Sequence, residues 1–211
     1  MVKSRVLRVF LLLSVSVVLP VFAQGDLPKA GHYLIVPEQS KIEIKTKTSG
    51  MFGSLGHDHL MVPKTFSAEA EVQPQEGVPA TVSIRIDATS LYEAAPEFKP
   101  EEKQKIESQM HSDVLETAKY PEILFKSTKV TYTKSPEHVY DTKIEGDLTL
   151  HGVTRKITVP TRITEDGANL RASGTFEIQR PDYKIETKSA GGGTVKVGKT
   201  LIVTFNIVLK Q

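Results

Sequence analysis

The chain has 211 residues, with 27 Lys+Arg against 25 Asp+Glu and no Cys. Lys3, Arg5 and Arg8 fall within the first 23 residues, which hold no acid, so the remainder is close to neutral and lacks the electrostatic footprint of a nucleic-acid binder. The lack of Cys excludes disulfides, thiolate metal sites, a cysteine nucleophile and lipidation of an N-terminal Cys.

Met1 to Ala23 reads as a secretory signal peptide: a basic start, an apolar run from Val9 to Leu19 broken only by Ser14 and Ser16, then Val21-Phe22-Ala23 with small residues at −3 and −1. The run falls short of the ~20 residues that a spanning helix needs, which favours cleavage before Gln24 over a retained anchor. Residues 24–211 are then one exported domain, periplasmic or secreted, large enough to bury a core of its own.

From Tyr33 onward the apolar residues recur with period two, the signature of strands with one buried face. Ile42 and Ile44 alternate with Lys41, Glu43 and Lys45. Phe66, Ala68, Ala70 and Val72 alternate with Ser67, Glu69 and Glu71, and Val82, Ile84 and Ile86 with Ser83, Arg85 and Asp87. The segment from Phe98 to Glu116 breaks this rhythm. Pro100-Glu101-Glu102 opens it, and Ile106, Met110 and Val114 follow at four-residue spacing, which predicts an amphipathic helix. Alternation then resumes at Ile123/Phe125, Val130/Tyr132, Leu148/Leu150, Ile157/Val159 and Leu170 to Ile178. It ends in Leu201 to Leu209, with Val203, Phe205 and Ile207 on one face. Turn signals at Pro74, Gly77-Val78-Pro79, Ser135-Pro136, Glu165-Asp166-Gly167 and Gly191-Gly192-Gly193 separate the runs.

An all-β chain with a single clear helix must bury the apolar face of its sheet on itself. An antiparallel, lipocalin-like barrel of about eight strands with one or two short helices does so and removes exposed edges; a two-sheet sandwich is the competitor. A barrel of that size is either filled by side chains or holds one small ligand.

Four separated motifs carry a resemblance. They are Met110-His111-Ser112-Asp113-Val114-Leu115-Glu116 with Lys119-Tyr120-Pro121-Glu122-Ile123-Leu124-Phe125; Gly146-Asp147-Leu148-Thr149-Leu150-His151-Gly152-Val153-Thr154-Arg155; Phe176-Glu177-Ile178 with Arg180-x-Asp182-Tyr183-x-Ile185; and the opening Tyr33-Leu34-Ile35 with Ser40-Lys41-Ile42. In this order they resemble the YceI-like, polyisoprenoid-binding family over about residues 31–210. The resemblance implies a lipocalin-like barrel whose apolar tunnel holds an isoprenoid chain, in an exported protein that is not an enzyme. Where family members often carry a lone His and a Gly-x-Phe pattern after the first strand, this chain has Gly53-Ser54-Leu55-Gly56-His57-Asp58-His59-Leu60-Met61.

The chemistry-bearing residues are few. On a strand, His57 and His59 would share a face, a partial metal site short of the three or four ligands zinc requires. They are the only metal candidates, with His111 or His151 able to add a third ligand if the fold brings one close. A polar turn or a head-group contact is the alternative. Gly193 to Thr200 satisfies the phosphate-loop pattern, but the strand-like Leu201 to Leu209 follows where that motif needs a helix, so no nucleotide is expected. Ser54 lacks a nucleophile-elbow context, and no acid–base pair stands out, so no catalytic residue is assigned. Phe52, Phe66, Phe125, Phe176 and Phe205 are candidates to line a tunnel, with Met110 capping one end. His57, His59 and Arg155 are candidates for the mouth.

The functional expectation is a non-enzymatic carrier of an isoprenoid-like or other amphiphilic lipid, without a cofactor and with no nucleic-acid partner. A periplasmic metal-binding or stress-related protein using the His57-Asp58-His59 loop is the alternative, and a packed barrel serving as an interaction module is a third. The oligomeric state is left open, a homodimer included.

Overall fold

The computed structural model describes residues 28–49, 58–73, 80–135, 138–186 and 196–211. Among the described residues eleven strands run in chain order: β1 (Gly31–Ile35), β2 (Lys41–Ser49), β3 (His59–Pro63), β4 (Phe66–Val72), β5 (Ala80–Asp87), β6 (Leu91–Glu93), β7 (Glu122–Ser135), β8 (Val139–Leu150), β9 (Val153–Asp166), β10 (Asn169–Gln179) and β11 (Lys196–Lys210). One α-helix, α1 (Pro100–Gln109), lies between β6 and β7.

The sheet closes as β1–β4–β5–β7–β8–β9–β10–β11 and back to β1, every pairing antiparallel. This is the eight-stranded barrel expected, and closure rules out the two-sheet sandwich. The seam has an unusual construction. Ile35 of β1 pairs with Leu209, the chain makes one 3-10 turn at Pro37–Gln39, and β2 then continues along the same edge of β11, from Lys41 opposite Asn206 to Thr46 opposite Leu201. Ser40 fills the break: its Oγ accepts from Val208 N (3.0 Å) and donates to the Val36 carbonyl (2.8 Å). Strands β3 and β6 extend outward from β2 beyond the ring.

Alternation sets what points inward. Tyr33, Ile42, Ala68, Ala70, Val72, Leu170, Ile207 and Leu209 form one buried cluster. Leu148, Leu150, Ile178, Tyr183, Ile185 and Leu201 form another toward the opposite end. The Ile123/Phe125 and Val130/Tyr132 runs turn out to be one strand, β7, with a register shift between Ser127 and Lys129. The extra residue at the bulge moves the inward set from odd to even positions. Ser127 repairs the interrupted ladder, its Oγ accepting from Val82 N at 2.8 Å.

Two glycines set the middle of the barrel. Gly174 stands directly opposite Phe205, and Gly146 lies beneath the ring of Phe125. A Cβ on Gly174 would press on the Pro160 carbonyl and stand 2.8 Å from Phe205 Cζ, so backbone as well as ring would have to shift. Gly174→Ala is therefore expected to lower stability by about 1–3 kcal/mol through overpacking, read as a fall in the melting temperature.

Pro100 opens α1 with Glu101 and Glu102 in its first turn, and the Glu102 carboxylate accepts from Lys99 N at 2.8 Å. Beyond Gln109 the helix widens into a π-type turn over Met110–Val114, with Leu115 N donating to the Met110 carbonyl. The helix expected over Phe98 to Glu116 is thus shorter, and its last turn is a different one. Ile106, Met110 and Val114 nevertheless face one cavity together.

Candidate functional site: an apolar cavity with a polar edge

A cavity of about 510 Å³ occupies one end of the barrel interior. Aliphatic side chains from the barrel wall (Ile42, Ile44, Ile86, Ile123, Leu148, Val203) meet Met61 and Leu91 from the outer strands, with Ile106, Met110 and Val114 covering the end. Phe176 stands at its inner limit. A second, smaller apolar space of about 100 Å³ lies beyond, lined by Phe125, Phe205, Tyr132 and Tyr140. The rings of Phe176 and Phe205 meet edge to face, centroids 6.4 Å apart, so an aromatic layer stands between the two spaces.

Polar groups collect at the edge of the large cavity where β2, β3 and β6 pair. Thr46 and His59 are direct cross-strand partners and both line the cavity. Behind His59 sits Glu93, 1% exposed. Its Oε2 accepts from His59 Nδ1 at 2.8 Å, and its Oε1 accepts from Leu60 N and Ala95 N at 3.0 Å each. Burial pushes the Glu93 carboxyl up, but the hydrogen bonds from His59, Leu60 and Ala95 and the charge of His59 outweigh it and hold the pKa below its ordinary value. Phe98 stacks on the imidazole with centroids 5.3 Å apart. Glu107 of α1 accepts from Glu93 N at 3.0 Å and ties the helix to this edge.

Arg180, also buried and on the cavity lining, donates from Nε to the Gly198 carbonyl (2.8 Å) and from Nη1 to the Ile185 carbonyl (3.1 Å). It thereby fastens the turn after β10 to the irregular start of β11, where the pairing register with β2 shifts between Val197 and Leu201. Burial lowers its pKa.

The residues singled out from sequence separate as follows. Phe176, Met110 and His59 line the large cavity, while Phe125 and Phe205 line the small one. Phe66 packs against the cluster around Tyr33 and lines neither space. Arg155 pairs in register with the inward Leu148, yet its side chain is exposed and its Nε donates to the Asp182 carbonyl at 3.2 Å, away from the cavity lining. Phe52 and His57 lie outside the described residues. His111 is engaged by the Leu91 carbonyl and the Thr117 hydroxyl, and His151 by the Tyr183 carbonyl and Glu116, so each histidine secures its own corner. Among the described residues no group of three or more His, Asp or Glu side chains could hold a metal ion. Lys199 and Thr200, from the phosphate-loop pattern, lie within β11, Thr200 opposite Gln179, and strand continues after them. Thr46, Glu93 and Arg180 were not singled out as site residues. Thr46 carried a signal as the next inward position after Ile42 and Ile44, and Arg180 stood within one of the motifs of the family resemblance.

A closed eight-stranded antiparallel barrel around an apolar cavity is a lipocalin-like barrel. The chain belongs to the YceI-like domain family, whose model matches residues 33–209. It is 30% identical over 180 residues to a UPF0312 protein of Vibrio parahaemolyticus, covering 82% of this chain and 85% of that protein. It is 34% identical over 84 residues to protein YceI of Escherichia coli, covering 36% of this chain and 40% of that one. Among solved structures, BcnA of Burkholderia cenocepacia superposes with a TM-score of 0.63 at 19% identity, over 82% of this chain and 98% of that chain. A polyisoprenoid-binding domain from Saccharophagus degradans superposes with a TM-score of 0.58 at 14% identity, over 86% and 99%.

Proposed function

We propose that the protein is an exported, non-catalytic carrier that holds the chain of an amphiphilic, isoprenoid-like lipid in the barrel cavity. The observation that carries this reading is the cavity itself. Protein interiors are packed to the density of organic crystals, and a barrel of eight strands can fill its interior with side chains. Here about 510 Å³ bordered chiefly by Ile, Leu, Val and Met is left to something else, within the roughly 300–1,000 Å³ range of ligand pockets. Each methylene moved from water into such a lining contributes about 0.8 kcal/mol, so a chain of modest length supplies the affinity without charged contacts. The isoprenoid class is supported by family membership and by the polyisoprenoid-binding domain that shares the fold. Export is supported by the order of basic, apolar and small residues up to Ala23.

One preparation tests both parts. Protein recovered from the extracytoplasmic fraction should begin at Gln24 by N-terminal sequencing. Native mass spectrometry should show it heavier than its sequence by one lipid, recoverable in organic extract. An intact Met1 in the membrane fraction would overturn export. Extracts without lipid, together with lipid-free protein that takes up no prenyl chain, would overturn the carrier reading.

A further inference from the structure

On three strands the lining passes from the large space to the small one within a single inward step. On β5 Ile86 lines the large cavity and Ile84 the small one. On β7 the pair is Ile123 and Phe125, and on β11 it is Val203 and Phe205. Among the described residues no side chain lines both spaces. On β8 and β10 the position at this level is a glycine: Gly146 between Leu148 and Ile144, and Gly174 between Phe176 and Ala172. Rings from the adjoining strands use that room. A Cβ on Gly146 would stand 2.6 Å from Phe125 Cζ, and one on Gly174 2.8 Å from Phe205 Cζ, so each ring reaches sideways and rests on a neighbouring backbone. Phe176 meets Phe205 edge to face, and all three rings pack on the cluster of Val130, Ile144 and Val159.

A layer in that position acts on whatever occupies the large cavity. Gln109 and Asp113 enter the lining from α1 and its π-type turn, at the end away from Phe176. A polar head group stays at that end, and the chain runs toward the rings. At about 30 Å³ for each carbon, close to the share of one water molecule in its liquid, 510 Å³ takes on the order of fifteen to twenty carbons, or three to four isoprene units. We propose that Phe125, Phe176 and Phe205 form a depth stop that restricts the carrier to chains of this length, with the Phe176–Phe205 pair as the barrier. Units beyond the fourth stay outside the apolar lining and add no affinity. This rests on the carrier reading and specifies which chains the carrier selects.

The test uses delipidated protein and four alcohols that differ only in length: geraniol, farnesol, geranylgeraniol and geranylfarnesol, of two to five isoprene units. Neighbours in the series are competed in pairs, and the bound fractions are read by native mass spectrometry. Farnesol should outcompete geraniol by about tenfold or more, because each buried methylene adds affinity, while geranylfarnesol should gain less than about threefold on geranylgeraniol. Phe205→Ala removes the ring over Gly174 and joins about 100 Å³ to the large cavity. The preference for geranylfarnesol over geranylgeraniol should then rise by about tenfold. Phe205→Leu is the milder second variant, which decides the matter if the alanine variant does not fold, and it should move the same ratio in the same direction. A parent protein that favours geranylfarnesol over geranylgeraniol threefold or more would overturn the inference. So would a folded Phe205→Leu protein with the ratios of the parent. If none of the four alcohols binds, the carrier reading falls and the stop falls with it; if they bind and affinity climbs through every length, only the stop is lost.

Discussion

Glu93→Ala is expected to be the most destabilising single change at the cavity edge, at about 3 kcal/mol or more. It strips Leu60 N and Ala95 N of their acceptor and leaves His59 Nδ1, in a half-buried place, without its partner. For a domain of this size that is a fall of roughly 6–12 °C in the melting temperature, measured by calorimetry or circular dichroism. Glu93→Gln should be milder, because its amide oxygen still serves the two backbone donors. The pH dependence carries its own sign. A carboxyl whose folded pKa is depressed binds its proton more readily in the unfolded chain. Its contribution is therefore fully present above the ordinary carboxylate pKa of about 4.5, and is lost as pH falls through the lower folded value. In Glu93→Ala that share of the acid-induced loss of stability should vanish, so the melting curves of parent and variant should draw together as pH drops below that value.

The second large effect is a contrast between two positions of the aromatic layer. Phe176→Trp enlarges a ring that borders the 510 Å³ cavity, and Phe205→Trp enlarges one that borders about 100 Å³ and already lies against Gly174. The first should leave lipid-free protein nearly as stable as the parent and cut lipid retention by about tenfold, since the indole takes space that the chain needs. The second has no such space and should cost about 1–3 kcal/mol by overpacking. Melting of delipidated protein and lipid content of purified protein, measured side by side, separate the two. Equal destabilisation by both would mean that the large cavity closes up in the absence of lipid.

Much of the barrel was legible because alternation is a direct consequence of strand geometry. Phe66-x-Ala68-x-Ala70-x-Val72 and the run from Leu170 to Ile178 showed strand and facing together. The bulge in β7 was also written in the sequence, as a change from odd positions at Ile123 and Phe125 to even ones at Val130 and Tyr132, although two runs rather than one strand were expected. Alternation could not tell lining from packing. Phe66 and Phe176 have the same pattern, and only the neighbouring strands decide that one rests on the Ala68 and Ala70 side of the core while the other borders open space. The polar edge was hidden for a different reason. An acid in a three-residue strand such as Leu91-Tyr92-Glu93 looks solvated, and what buries Glu93 is donors from Leu60 and His59, more than 30 positions earlier. Arg155 misled in the opposite way. Its register points inward, but at the end of the barrel a long side chain is free to turn toward the Asp182 carbonyl.

The split seam has a consequence for the order of events in assembly. Strand β11 is the shared neighbour of β10, β2 and β1, and the last of these contacts joins residues about 175 positions apart, Ile35 with Leu209 and Leu34 with Lys210. Until β11 is in place the growing chain is an open, curling ribbon whose two margins, β10 on one side and the β1–β2 segment on the other, offer unsatisfied backbone and apolar faces to any passing strand. Contacts of such long sequence separation are slow to form, because the loop they close must be ordered before they reward it. The ring therefore closes only when β11 docks, and every stave of the barrel waits on that one strand for its last partner.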